Sequence, residues 1–309
     1  MTVNQTKNNK PTLTPRYPVY IISKGRHDNL LTAKFMIADG VPFRIVIEPQ
    51  EREKYAEVYG EERLLILPFS NLGKGSIPAR NWVWEHSKAA GFERHWIFDD
   101  NIRHVYRRYK AQKIRCNAGA AIVALEDFVD RYENIGIAGM NYFMFLPNRE
   151  KHGPFVLNCH VYSNLLIKND MPQRWRGRYN EDTDLCLQVL SAGLCTIQFN
   201  AFMIEKMQTM TMKGGNTDVL YDGDGRLKMA KSLERMWPGV VETKRRFKRP
   251  QHVIKNAWSK FDTQLIRKPG VEIQETPNEY GMELQQVKPE IKSEYVRSLL
   301  KTHKSKKQG

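Results

Sequence analysis

His95-Trp96-Ile97-Phe98-Asp99-Asp100-Asn101 is the stretch of this 309-residue chain whose reading decides the fold. Its apolar first half reads as a short buried strand, and the strand ends in two adjacent carboxylates. Such a pair is costly at that place unless a cation or hydrogen bonds neutralise it. Carboxylate oxygens suit a hard divalent ion, which commonly keeps water and phosphate among its ligands. The local expectation is a metal that grips a phosphate-bearing substrate at a strand end, with Asp99, Asp100 and Asn101 around it.

Working outward, Val19-Tyr20-Ile21-Ile22-Ser23 is a β-rich run that ends at Lys24-Gly25-Arg26. Asn29 to Asp39 has helical spacing and stops at Gly40, and strand candidates follow at Phe43–Glu48 and Leu64–Leu67. A helix runs from Ala79 to Ala90, directly before the decisive strand. Short apolar strands alternating with amphipathic helices argue for a parallel α/β layer. Further on, Gly136–Phe145, Cys159–Ile167 and Thr196–Ile204 read as strands, with one helix from about Glu181 to Gly193. Longer loops there suggest a mixed sheet extended beyond the parallel half.

Several side chains fall where open α/β sheets bind ligands, at the carboxyl edge of the strands. Ser23 and Arg26 leave the first strand there, and Glu48, which ends the second, could accept hydrogen bonds from a base or ribose. Gly73-Lys74-Gly75-Ser76 opens the helix that carries Arg80. A helix N-terminus favours anions, and Lys74 and Arg80 would reinforce that preference. A second acidic cluster, Glu181-Asp182-Thr183-Asp184, starts the later helix. Three carboxylates in four positions exceed what helix capping needs, and one of them could serve as a general base. Lys213-Gly214-Gly215 sets two glycines beside a cation, which would suit a flexible loop.

Together these residues resemble the GT-A glycosyltransferases over roughly residues 17–215. The matching positions are the Ser23–Arg26 strand exit, Ala79-Arg80-Asn81, the Phe98-Asp99-Asp100-Asn101 variant of the metal motif, and Glu181-Asp182. A narrower resemblance, carried by residues 16–26 (RYPVYIISKGR), 77–82 (IPARNW) and 96–101 (WIFDDN), is to the TET-associated glycosyltransferases found beside TET/JBP-type dioxygenases in phages. The resemblance implies a Rossmann-like α/β domain with a mixed central sheet and a nucleotide-sugar donor, usually a uridine diphosphate sugar. It also implies Mn²⁺ or Mg²⁺ bridging the donor phosphates, and Asp182 as base in an inverting displacement. Ser23, Arg26, Glu48, Lys74, Arg80, Asp99 and Lys213 then face the donor, Asp99, Asp100 and Asn101 the metal, and Asp182 with Glu181 the acceptor. Two departures stand out. The motif ends in Asn101 rather than Asp, and no histidine follows the base helix until His252, where many GT-A enzymes supply a late metal ligand.

The charge balance points to a polyanion. Forty-nine Lys/Arg against 34 Asp/Glu give a formal +15, which favours nucleic acid or another anionic surface. Arg103, His104, Arg107, Arg108, Lys110, Lys113 and Arg115 follow the motif with no acid before Glu126. Phosphate contacts of this kind position DNA without reading its sequence. Residues 244–309 carry 16 Lys/Arg and 7 Asp/Glu, which reads as a basic C-terminal extension after a domain at 16–243 and a flexible tail at 1–15. Trp258 and Phe261 in that extension could pack or stack. Scattered Cys116, Cys159, Cys186 and Cys195 form neither a zinc ribbon nor a redox pair, so free thiols in a reducing compartment are expected. No run approaches a membrane span.

The expectation is therefore a metal-dependent hexosyltransferase moving a sugar from UDP-glucose or a related donor onto 5-hydroxymethylcytosine or a related pyrimidine in DNA. Its setting would be the cytoplasm of an infected bacterium, with the target nucleotide flipped out or single-stranded. Two rivals remain at this point: a GT-A enzyme acting on protein or glycan, and a non-catalytic DNA-binding protein on a degenerate transferase fold.

Overall fold

The computed structural model describes residues 13–109, 112–148, 152–207, 225–246, 249–255 and 258–272. The sequence-based expectations for residues 1–12, Lys110, Lys213 and the 273–309 tail lie outside the described residues.

Strands β1 (Val19–Ile22), β2 (Arg44–Ile47), β3 (Leu64–Ile66) and β4 (Arg94–Asp99) form the parallel half in spatial order β3-β2-β1-β4. The sheet continues through β9 (Asn164–Lys168), β7 (Ile135–Tyr142), β10 (Cys195–Lys206), β5 (Ile102–Tyr109) and β6 (Gln112–Arg115), while β8 (Phe155–Leu157) pairs with β10. Strand β9 is antiparallel to both β4 and β7, and β10 is parallel to β7. The carboxyl ends of β4 and β10 therefore share one edge of the sheet. This is the mixed GT-A-like α/β architecture expected.

Side-chain alternation along the strands builds two cores. Val19, Ile21, Ile45, Ile47, Trp96 and Phe98 face helices α1 (Leu31–Ala38), α2 (Arg52–Tyr59) and α4 (Ala118–Val129). Tyr20, Val46 and Ile97 face α3 (Ile77–Ala89) and α5 (Glu181–Ser191) on the other side. Each fully buried large apolar side chain contributes about 1.5–3 kcal/mol, so this double packing fixes the strand ends on which the site is built. A smaller core joins Leu187 of α5 to Leu233 of α6 (Gly225–Met236) and to Val241 and Ile254 of the hairpin β11 (Val241–Arg246)–β12 (Arg249–Ile254). Trp258 and Phe261 pack against that core. The hairpin runs across residue 244, where the basic stretch begins, and the compact unit extends through Arg267. A second unit starts at Lys268.

Cys186 and Cys195 are buried free thiols, as the sequence suggests. Among the described residues no helix is long and apolar enough to cross a membrane. The basic run after Asn101 is a β-hairpin, β5–β6, at the edge of the sheet.

Candidate active site

The turn after β4 is clamped from behind. Thr32 Oγ1 donates to the Asp99 carbonyl at 2.6 Å and accepts from Ile102 N at 3.0 Å, so the first turn of α1 fixes the backbone between the two acids. On the other side Asp99 N donates to Ser163 O at 2.8 Å. Ser163 holds a left-handed φ of 66°. That conformation is costly for a residue other than glycine and is tolerated where the surroundings enforce it.

Asp99 and Asp100 then diverge. Asp100 is buried and accepts from Arg26 Nη1, and from Ser23 Oγ at 3.0 Å. Burial raises its carboxyl, with Arg26 opposing. Ser23 and Arg26 are themselves set by Tyr55 of α2, whose hydroxyl lies 2.8 Å from Ser23 Oγ and accepts from Arg26 N at 3.0 Å. Asp99 instead accepts from Arg80 Nη2 at 3.2 Å and from Lys206 Nζ at 2.6 Å. Burial works against its charge, but Lys206 and Arg80 outweigh that cost and hold its carboxyl down at about 2.

Arg80 is the hub. It is 5% exposed, and its guanidinium stacks 4.4 Å over the Trp175 ring. Asn81 secures that ring from the next position, exchanging two hydrogen bonds with the Trp175 backbone at 2.9 and 3.0 Å. Trp175 is thus a buried support under Arg80. From there Arg80 Nη1 reaches Asp182 Oδ1 at 3.3 Å, with Glu181 3.8 Å from Nη2. Asn180, in the left-handed region at φ 54°, turns the chain into α5 and sets both acids on the cavity. Asp182 also accepts from Ser163 N at 3.3 Å. Burial pushes its carboxyl up to about 7; Arg80 opposes, and Glu181 and Asp99 add to the rise. Asp184, two residues further, is fully buried and committed to Arg176, Gln188 and Trp237.

Asp99, Asp100, Glu181 and Asp182, with Arg26, Arg80 and Lys206, line one cavity of about 730 Å³, within the size range of nucleotide and cofactor sites. Its wall brings together Ser23, Arg26, Glu48, Arg80, Asp99, Asp100, Asn101, Glu181 and Asp182, all singled out in the sequence. Lys74 stays exposed on the loop before α3 and is not part of the wall. Glu48 is held by Lys24 Nζ at 2.6 Å. Of the arginines before α5, Arg178 lines the cavity, whereas Arg174 and Arg176 are paired with Glu85 and Asp184.

The sequence reading missed Lys206, Ser163, Tyr55 and the aromatic wall Tyr142, Phe145 and Tyr162. Lys206 had one available signal, its place just beyond a strand candidate at the same sheet edge as Asp99. His252 and Gln251 of β12 also line the cavity, so the 244–309 stretch contributes to the site wall. On β5 Arg103 and Arg107 are exposed. Lys113 of β6 donates to Phe143 O at 2.6 Å and sits 3.9 Å over that ring. The basic hairpin thereby abuts the 143–145 turn that supplies Phe145 to the cavity.

A model of the TET-associated glycosyltransferase family matches residues 17–215, which contain every acid and base just described except His252. The chain belongs to that family. It is a glycosyltransferase by that membership. No curated protein matches it at significant similarity.

A divalent ion fits this TET-associated glycosyltransferase poorly. Both Asp99 oxygens and both Asp100 oxygens already accept from Arg80, Lys206, Arg26 and Ser23. Among the described residues no three His, Cys, Asp or Glu side chains converge as ligands. Asn101 Oδ1 is buried without a hydrogen-bond partner, but one neutral amide oxygen is a weak donor set for a hard cation that takes six or more oxygens.

Proposed function

We propose that the protein transfers a hexose from a UDP-sugar, with UDP-glucose the first candidate, to the hydroxyl of a 5-hydroxymethylpyrimidine in DNA, 5-hydroxymethylcytosine foremost. The observation that carries this reading is Arg80. One buried guanidinium binds both Asp99, on the donor side, and Asp182, the acid best suited to activate an acceptor.

The chemistry follows from the environments of the two acids. Asp99, held near 2, stays ionised and fixes Arg80 and Lys206 in place. Asp182, near 7, can take a proton from an attacking hydroxyl at neutral pH and release it afterwards. Two carboxyls with separated affinities divide structural and proton-transfer work. Glu48, just beyond β2, lines the cavity where a base or ribose would lie, with Lys24 and Gln50 donating to its Oε2. The fixed charges need no reorganisation as charge builds on the departing diphosphate.

Three features favour a DNA acceptor over protein or glycan. The formal charge is +15. Exposed Arg103 and Arg107 lie on a strand that starts two residues after Asp100. Tyr142, Phe145 and Tyr162 give the cavity an aromatic side against which an unstacked base can lie. The test is incubation with DNA containing 5-hydroxymethylcytosine or 5-hydroxymethyluracil and a panel of nucleotide sugars, read by nucleoside mass spectrometry. A hexose mass gain on one base is expected. No gain with any donor on either base would end the acceptor assignment.

A further inference from the structure

The charge of the Asp99–Asp100 pair is met inside the chain. The cavity wall holds five cationic side chains, Lys24, Arg26, Arg80, Arg178 and Lys206, and five acids, Glu48, Asp99, Asp100, Glu181 and Asp182. Asp99 pairs with Lys206 and Arg80, Asp100 with Arg26 and Glu48 with Lys24, while Glu181 and Asp182 share Arg80. Lys206 has the most direct part in this balance. It is the last residue of β10, at the sheet edge where β4 ends in Asp99. Its ammonium lies 2.6 Å from Asp99 Oδ2 and 2.7 Å from Ser163 Oγ. An ammonium has three donors, so these contacts leave one for a ligand in the cavity that Lys206 lines. The side chain is 14% exposed, enough to meet a ligand and too little to be screened like a surface lysine.

We infer that Lys206 takes the place of a divalent ion: with Arg80 it binds the donor's diphosphate and neutralises the departing nucleoside diphosphate, so that donor binding requires no metal. The inference rests on the reading of the chain as a nucleotide-sugar transferase. In the transfer, the acceptor oxygen gives its proton to Asp182 and bonds the anomeric carbon. The bond from that carbon to the β-phosphate oxygen breaks, and its electron pair leaves with the nucleoside diphosphate. The leaving group gains one negative charge, which Lys206 meets as a fixed positive charge already in position. Asp99 holds the ammonium, and Ser163 in its left-handed turn holds both Lys206 and, through its N–H, Asp182. The cation at the donor and the base at the acceptor thus share one support.

The experiment is calorimetric titration of UDP into the full-length protein, once in EDTA and once in saturating Mn²⁺, repeated for Lys206→Met and Lys206→Arg. Wild-type affinity should agree within about threefold between the two conditions. Lys206→Met should weaken UDP by about tenfold or more, as expected for loss of a charged hydrogen bond to phosphate, and Lys206→Arg should recover much of that loss. Binding seen only with Mn²⁺ would overturn the inference and leave the transferase reading intact. Unchanged UDP affinity in a folded Lys206→Met protein would overturn it too. No UDP binding in either condition would remove the donor assignment and the inference with it. Should Lys206→Met fail to fold by circular dichroism, the wild-type comparison alone decides.

Discussion

Arg80 lies 3.3 Å from Asp182 while the same guanidinium holds Asp99 at 3.2 Å, so the two acidic clusters of the sequence meet on one side chain. Its position depends on the Trp175 ring beneath it. Removing one partner from a buried ionic cluster leaves the other charges uncompensated and costs about 3–5 kcal/mol. Arg80→Met should lose that order of stability in urea denaturation and all measurable transfer. Arg80→Lys keeps the charge but lacks the planar fork that spans two carboxylates. It should unfold closer to wild type and still lose transfer, which separates bridging from mere charge.

Asp182 sets a pH dependence for activity. A base must be ionised to accept a proton, and burial has raised this carboxyl to about 7. The kcat/KM for DNA should therefore rise with pH and level off above a midpoint near 7. Asp182→Asn should lower the rate by about 10²–10⁴, the span of general-base contributions, and abolish the midpoint. A flat profile in the wild type from pH 5 to 9 would remove Asp182 from the role.

The same shift predicts the sign of a stability effect. The folded-state pKa of Asp182 lies above the ordinary carboxyl value of 3.8. The folded protein thus binds this proton more tightly than the unfolded chain. Stability falls as pH rises from about 4 through about 7, the window between the two affinities. Asp182→Asn removes the buried charge and with it that slope. Thermal unfolding should find the variant at least as stable as wild type at pH 8, with the advantage gone near pH 4.

The parallel half of the sheet was legible because its strands are apolar, short and punctuated: β1, β2, β3 and β4 fall within two residues of the expected bounds. The site was legible where acids interrupt that apolar pattern, as at Asp99 and Asp182. What escaped had no such contrast. Half of helix α2 along Arg52–Tyr59 is charged, and only its two tyrosines are buried, so its apolar periodicity is weak. The hairpin β5–β6 is dense in arginine and does not read as a strand until Val105 and Ile102 are seen packed against the core. Lys206 was hidden because a lysine after a strand is ordinary at a surface. The pairing of β10 with β5 brings it to Asp99, because Lys206 stands opposite Ile102, three residues after that acid. The acid pair correctly signalled a need for a cation but left open which cation answers it.

The exposed edge of β5 carries the last prediction. Arg103 and Arg107 are both exposed on one strand, Arg103 at the irregularity where the pairing of β5 with β10 skips a residue. Arg103 has a 3.8 Å contact with Glu205, and Arg107 rests over Tyr109 at 5.4 Å. Both guanidinium groups are exposed and positioned to meet phosphate. Each phosphate contact releases counterions and contributes about 0.9 to the slope of log K against log salt. The double variant Arg103→Ala/Arg107→Ala should reduce that slope by about 2 and weaken DNA binding on any sequence, while UDP affinity in calorimetry stays at the wild-type value. An unchanged salt slope would mean that the hairpin does not lie on the DNA path, and the acceptor would then have to approach over the β11–β12 side, where Gln251 and His252 border the cavity.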